Sequence, residues 1–178
     1  MGADSGVTAA GRVRLEERGD GQAVRRINES AFGRADEANL IDELKRCAAV
    51  TLSLVFESES EVLGHIVFSP VTIESGSASR LAVGLGPMAV TPDRQSSGIG
   101  SALVREGLTR CRDQGEDIVV VLGHPLYYPR FGFRPARQLG LRYAHEVADE
   151  VFMALRFGEA KLGEGEWVVH YHPTFDGV

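Results

Sequence analysis

The run Ile118–Leu122 (IVVVL) is apolar at every position and β-branched at all but the last. A strand with one wet face alternates; a run like this one belongs to a strand buried on both faces, as in a sheet covered by helices. The segment before it, 98–114, reads as a strong helix. Val104, Leu108 and Cys111 give it an apolar face, Arg110 and Arg112 complement the dipole of its last turn, and Gly115 stops it. Before that helix lies another apolar strand, Leu81–Val90. Strand, helix and buried strand in this order predict a right-handed crossover between parallel neighbours.

The first half of the chain follows another pattern. Val13–Glu16 alternates like a short strand. Asp20–Phe32 and Asp36–Cys47 predict two helices separated by Gly33, the second with Leu40, Ile41, Leu44 and Ala48 as its apolar stripe. Thr51–Glu57 and Glu61–Ile73 predict a strand pair joined at Ser58-Glu59-Ser60, and 74–79 (ESGSAS) turns the chain into Leu81–Val90. Beyond Leu122 the signals are looser: a short helix over Pro125–Arg130, then strands over Phe131–Pro135, Val151–Phe157 and Glu166–His170. The fold class is α/β with a mixed sheet. Residues 1–11 read as a frayed tail and 12–178 as one domain, which suits a 178-residue chain.

Composition removes several classes. The chain is 43% hydrophobic and 25% charged, with a formal net charge of −6. A binder of nucleic acid usually carries a basic surplus, so no nucleic-acid partner is expected. No apolar run approaches the ~20 residues of a membrane span, so no membrane partner is expected either. The start, MGADSGVTAAG, lacks the basic and apolar regions of a secretory signal. A cytoplasmic protein is expected, with Cys47 and Cys111 as reduced core thiols. His170 and His172 would share a strand face but have no third ligand at sensible spacing, so no metal is expected. Asn28-Glu-Ser30 fits a glycosylation sequon but falls inside a predicted helix.

The stretch 85–100 (LGPMAVTPDRQSSGIG) carries the chemistry. An apolar strand runs into a polar loop, and a helix begins at Gly98 and Gly100. The first amides of a helix have no intrahelical partner, and the macrodipole adds about half a positive charge there. Glycines let that backbone approach an anion closely, and Arg94, Gln95, Ser96 and Ser97 add side-chain donors. The reading is a phosphate or diphosphate cradle. No Gly-x-x-x-x-Gly-Lys-Ser/Thr occurs, and Gly84 and Gly86 are followed by Pro87 and a strand rather than by a helix. A nucleoside-triphosphate P-loop is therefore excluded, and a dinucleotide-binding fingerprint fits poorly.

The segment Gln95-Ser-Ser-Gly98-Ile-Gly100, after the Val90 and Pro92 turn, resembles the Gln/Arg-x-x-Gly-x-Gly/Ala signature of the GNAT superfamily, the Gcn5-related N-acetyltransferases. Tyr127-Tyr128-Pro-Arg-Phe131-Gly132-Phe133 is similar to that family's aromatic-Tyr-x-x-x-Gly-Phe segment, at the expected distance. The resemblance is carried by Leu81–Phe133. It implies a mainly antiparallel sheet flanked by helices, with strands splayed around an acyl-CoA site.

It also implies a reaction: acetyl transfer from acetyl-CoA to a primary amine of a small molecule or peptide by direct attack. Backbone groups of Gln95, Ser96, Ser97, Gly98, Ile99 and Gly100, with Ser101 nearby, would hold the pyrophosphate. Met88, Ala89 and Val90 would pair with pantetheine like an added strand. Tyr128 aligns with the general-acid tyrosine, whose phenol near pKa 10 protonates a thiolate at a cost of about one or two pKa units. The strand Leu81–Val90 has no Asp or Glu, so the base is sought among His65, His124, Glu29 and Glu37. Position 124 departs from the family, which often has Asn there. The rival reading is a non-catalytic acyl-CoA-binding or regulatory module. Trp167 and Phe175 are expected to close the core, unless their segment lines the acceptor pocket or a homodimer contact.

Overall fold

The computed structural model describes residues 10–158, 162–163 and 165–177. Most of the expected tail, residues 1–9, lies outside that set. Among the described residues, nine strands form one sheet flanked by three helices. In chain order they are β1 (Arg12–Leu15), α1 (Gly21–Phe32), α2 (Asp36–Arg46), β2 (Leu52–Ser58), β3 (Glu61–Ser75), β4 (Ala78–Val90), α3 (Ile99–Asp113) and β5 (Ile118–Leu122). There follow β6 (Arg134–Pro135), β7 (Leu141–Tyr143), β8 (Phe152–Arg156) and β9 (Trp167–His170). The sheet runs β1-β2-β3-β4-β5-β8-β6, with β9 joined to β3 and β7. Pairs are antiparallel except β4–β5 and β7–β9. The mixed, mainly antiparallel sheet expected from the sequence is what forms, with the crossover at β4-α3-β5.

Both faces of the sheet are covered. On one, α3 packs Leu103, Val104 and Leu108 against Phe56, Phe68, Leu85, Val119 and Val121. Its approach is close because Gly107 has no side chain: a Cβ there would lie 2.4 Å from the Phe68 ring. On the other face, Val24 of α1 and Ile41 of α2 pack on Val55 and Val67. Farther along that face, Val120, Phe152, Trp167 and Val169 form a second cluster, so Trp167 does close core.

Several local expectations are corrected. The α2 stripe ends on Ala49 rather than Ala48. Ala49 N–H bonds Leu44 O at 2.8 Å and Ala48 turns left-handed at φ 54°, a Schellman-type stop that exposes Ala48 and buries Ala49. The same stop leaves Cys47 exposed, whereas Cys111 is buried, and burial pushes its thiol up to about 12. The helix expected over Pro125–Arg130 is a 3-10 turn at Tyr128–Phe131, so the strand after it shrinks to β6. Strand β7 was not anticipated.

A polar cluster ties α1 and α2 to the sheet. Glu16, just past β1, accepts from Lys45 Nζ and from Ser53 Oγ, both at 2.5 Å. Ser53 Oγ also meets His65 Nε2 at 2.9 Å, and Asn28 Nδ2 lies 3.3 Å from His65 Nδ1. Burial pushes the Glu16 carboxyl up, but His65, Lys45 and Ser53 outweigh it and hold the pKa at about 2. Burial lowers the His65 pKa, with Glu16 opposing. Both groups bind protons more readily unfolded than folded, so each adds stability above its unfolded pKa, about 6.5 and 4.5 respectively, that is lost as pH falls. The urea midpoint is therefore expected to decline below pH 6.5 and to fall further from pH 4.5 toward 2. Glu16→Gln should flatten the second decline, and a midpoint level from pH 7 to 3 would contradict this account.

Candidate active site

The site is built where β4 and β5 part. Their parallel pairing covers Val83↔Val119, Gly84↔Val120 and Leu85↔Val121 and then stops. Strand β4 runs on with β3, through Ile66↔Met88, His65↔Ala89 and Gly64↔Val90. Between these two stretches Gly86 and Pro87 stand opposite Val67 alone. Two residues against one make a bulge, which bends its strand and increases the local twist. Here it swings Met88–Val90 away from β5, leaving an edge of that segment unpaired.

The loop beyond Val90 braces itself. Gln95 Nε2 donates to Val90 O at 3.3 Å, and Ser97 Oγ donates to Arg94 O at 2.5 Å. These side chains were expected as donors to an anion; they are instead spent on the loop's own carbonyls. Gly98, at φ 88°, supplies no side-chain cap to α3. The helical ladder begins only where Ala102 N–H bonds Gly98 O at 3.0 Å. Among the described residues, no loop backbone or side-chain acceptor engages the amides of Ile99, Gly100 and Ser101. Gly100 keeps this approach close: a Cβ would lie 2.9 Å from the Tyr127 hydroxyl and push that ring aside.

A cavity of about 1050 Å³ occupies the opening. Met88, Ala89, Val90, Gln95, Ser96, Gly98, Gly100 and Ser101, all expected at the donor site, line it. Ser97 does not, being turned onto its loop, and Ile99 sends its side chain into the core. Tyr128 and His124 also line it. Burial, with Tyr127 adding to it, raises the Tyr128 pKa above the ordinary phenol value, and the Tyr128 hydroxyl has no protein partner among the described residues. His124 Nδ1 accepts from Leu126 N–H at 3.3 Å, which leaves Nε2 as the proton-bearing nitrogen of the neutral ring.

Two candidate bases are not brought to the cavity. His65 is fully buried under α1 in the Glu16 cluster, and Glu29 pairs with Arg25 on the helix surface. Glu37 does line the cavity. Sequence reasoning missed Arg130, whose guanidinium lies 4.7 Å above the Tyr127 ring, and the wall formed by Tyr143 and Tyr171. Phe175 also lines the cavity, the alternative kept open for its segment. No local signal marks Tyr171, because its position depends on β9 returning beside β3. Among the described residues, no three His, Cys, Asp or Glu side chains gather as a metal centre, and no helix is long and apolar enough to cross a membrane.

An open mixed sheet, a bulged strand leaving its parallel neighbour, and a helix start with free amides at the gap make up the arrangement that the sequence resemblance implied. Residues 12–136 match the family profile described as the Acetyltransferase (GNAT) domain, and the chain belongs to that family. It is 31% identical over 165 residues to the uncharacterized N-acetyltransferase YhbS of Escherichia coli strain K12, covering 92% of this chain and 98% of that protein. The crystal structure of YhbS in complex with CoA superposes with a TM-score of 0.85 at 30% identity, over 93% of this chain and 92% of that one. A GNAT family acetyltransferase from Brucella melitensis, solved with acetyl-CoA, is 38% identical with a TM-score of 0.77, over 94% and 99% of the two chains.

Proposed function

We propose that the protein transfers the acetyl group of acetyl-CoA to an amine by direct attack. The observation that carries this is the set of free amides at the start of α3, placed at the mouth of the gap between β4 and β5. The backbone of Gly98, Ile99, Gly100 and Ser101 holds the pyrophosphate, with the positive end of α3 behind it. Arg130, carried on the Tyr127 ring, supplies a charge at the same mouth. The unpaired edge of Met88–Val90 takes the pantetheine amides as a strand would. A backbone N–H of this edge polarises the thioester carbonyl as the tetrahedral oxyanion forms.

The amine nitrogen attacks the carbonyl carbon, the carbon–sulfur bond breaks, and the thiolate of CoA leaves with Tyr128 as hydrogen-bond donor and proton source. The nitrogen gives up its own proton to water in the open cavity or to a side chain on its wall. His124 serves poorly there, because Leu126 already occupies the lone pair of Nδ1. Relatives crystallised with CoA and acetyl-CoA support the choice of donor.

The test is calorimetry with acetyl-CoA together with detection of free thiol over a panel of amines. Binding with thiol release is expected; binding without release from any amine would favour the non-catalytic reading. Gly100→Val should weaken acetyl-CoA affinity by at least about tenfold, since its branches meet the Tyr127 hydroxyl and fill the cradle. Unaltered affinity would remove the cradle from the account.

A further inference from the structure

The cavity crosses the sheet at the gap, and its two ends differ. Along β4, Leu85 packs in the cluster under α3, whereas a Cβ on Gly84 would meet Val71 and Tyr171 on the α1–α2 face, the latter at 2.6 Å. Along β5, Val121 joins the α3 cluster and Val120 the other one, so Leu122 points to the same side as Val120. The cradle at the start of α3 belongs to the α3 face, as do Tyr128, Tyr127 and Met88. Arg130 stacks on the Tyr127 ring and goes with them. Donor binding therefore uses the α3 face, and the end on the α1–α2 face is left for the acceptor.

That end is mostly hydrocarbon. Phe32 at the end of α1, Leu40 of α2, Leu122, Tyr143, Tyr171 and Phe175 line it. Phe175 packs on the Leu40 cluster; its ring centroid is 4.9 Å from that of Tyr171, which is 5.6 Å from that of Tyr143. The Tyr171 hydroxyl is buried, so this residue presents its ring to the cavity. Phe32 and Leu122 are 41% and 47% exposed, apolar surface that a bound molecule covers. The charged side chains lining this end, among the described residues, are Arg34 and Glu37, and they close on each other. Arg34 donates from Nη2 to Glu37 Oε1 at 2.5 Å and from Nε to both carboxylate oxygens at 3.2 Å. The pair offers no surplus charge of either sign. A second ammonium or a carboxylate on the acceptor would lose water here without gaining an unpaired partner, which is costly. Apolar surface in the same place is favoured in proportion to the area covered.

Resting on the transferase reading above, we propose that the acceptor is a hydrophobic monoamine: a primary amine whose remainder is an alkyl or arylalkyl group without a second charge. The amine reaches through the gap toward the thioester. Its hydrocarbon lies against Phe32, Leu122 and the Tyr143, Tyr171 and Phe175 rings, which set acceptor specificity by apolar burial.

The experiment measures thiol release from acetyl-CoA with ethylamine, butylamine, hexylamine and 2-phenylethylamine, and with the straight-chain α,ω-diamines of four and six carbons. Along the alkylamines kcat/KM is expected to rise about two- to fourfold per methylene, through KM. Each diamine should fall at least about tenfold below the alkylamine of its length. Phe32→Ala, a change at an exposed helix end, should lower kcat/KM for hexylamine and 2-phenylethylamine about threefold or more. Ethylamine turnover and acetyl-CoA affinity should stay nearly unchanged in that variant. A flat or falling alkylamine series, a diamine equal to or better than its partner, or equal losses on short and long amines in Phe32→Ala would overturn the proposal. If that variant does not bind acetyl-CoA, the wild-type series decides by the same criteria. Absence of thiol release with every amine would refute the transferase reading and this inference with it, whereas release without the length dependence would overturn this inference alone.

Discussion

Tyr128→Phe is expected to lower turnover by about 100-fold or more, the scale of one positioned proton donor, while acetyl-CoA affinity stays nearly intact. The ring is held whatever its para substituent. It packs edge-on to Tyr127 at 5.1 Å and to Phe133 at 5.7 Å, so phenylalanine fills the same space. Only the hydroxyl is lost, and no protein group among the described residues depends on it. Burial sharpens the chemistry. A phenol near 10 was expected to yield its proton to a thiolate near 8.5 at a cost of about one or two pKa units. Burial raises the Tyr128 pKa and widens that gap, so hydrogen bonding to the charge building on sulfur carries more of the effect than complete transfer. The same shift keeps the phenol protonated through the alkaline range, and kcat should show no loss assignable to Tyr128 up to pH 10. Unchanged turnover in Tyr128→Phe would refute the assignment, and an alkaline limb below pH 10 that this substitution abolishes would refute the raised pKa.

Phe68→Ala is expected to be the most damaging core truncation, costing about 3–5 kcal/mol. For a chain of this length that lowers Tm by about 6–20 °C. Phe68 is wholly buried in β3, pairs with Leu85 at the edge of the bulge, and meets α3 at Gly107. The helix backbone already rests on the ring, so α3 cannot close the void left behind without moving its own start, which forms the cradle. Differential scanning calorimetry reads the first effect and acetyl-CoA titration the second. A Tm shift below about 3 °C would show that the core relaxes around the loss.

Much of this protein is legible from local pattern. β5 forms at the bounds its apolar run predicts, and α1, α2 and α3 differ from expectation by a residue or so at their ends. The crossover, the meander and the two motif segments stand where the sequence placed them. The misses share a cause. β7 has three residues and, among the described residues, pairs only with β9, which returns from far along the chain, so no alternation announces it. His65 has the right side chain on a central strand, yet the packing of α1 and the Glu16 cluster enclose it. Glu37, equal to it in the sequence, lines the cavity because the turn into α2 presents it there.

Periodicity, glycine placement and helix-end chemistry act over a few residues, and they determined the elements, the crossover and the position of the cradle. Which polar groups share the cavity was decided only when distant segments met. The bulge parts β4 from β5, β9 carries Tyr171 and Phe175 across the sheet, and α2 turns Glu37 inward. Burial and contact depend on long-range register, and no local preference along the chain encodes that register by itself.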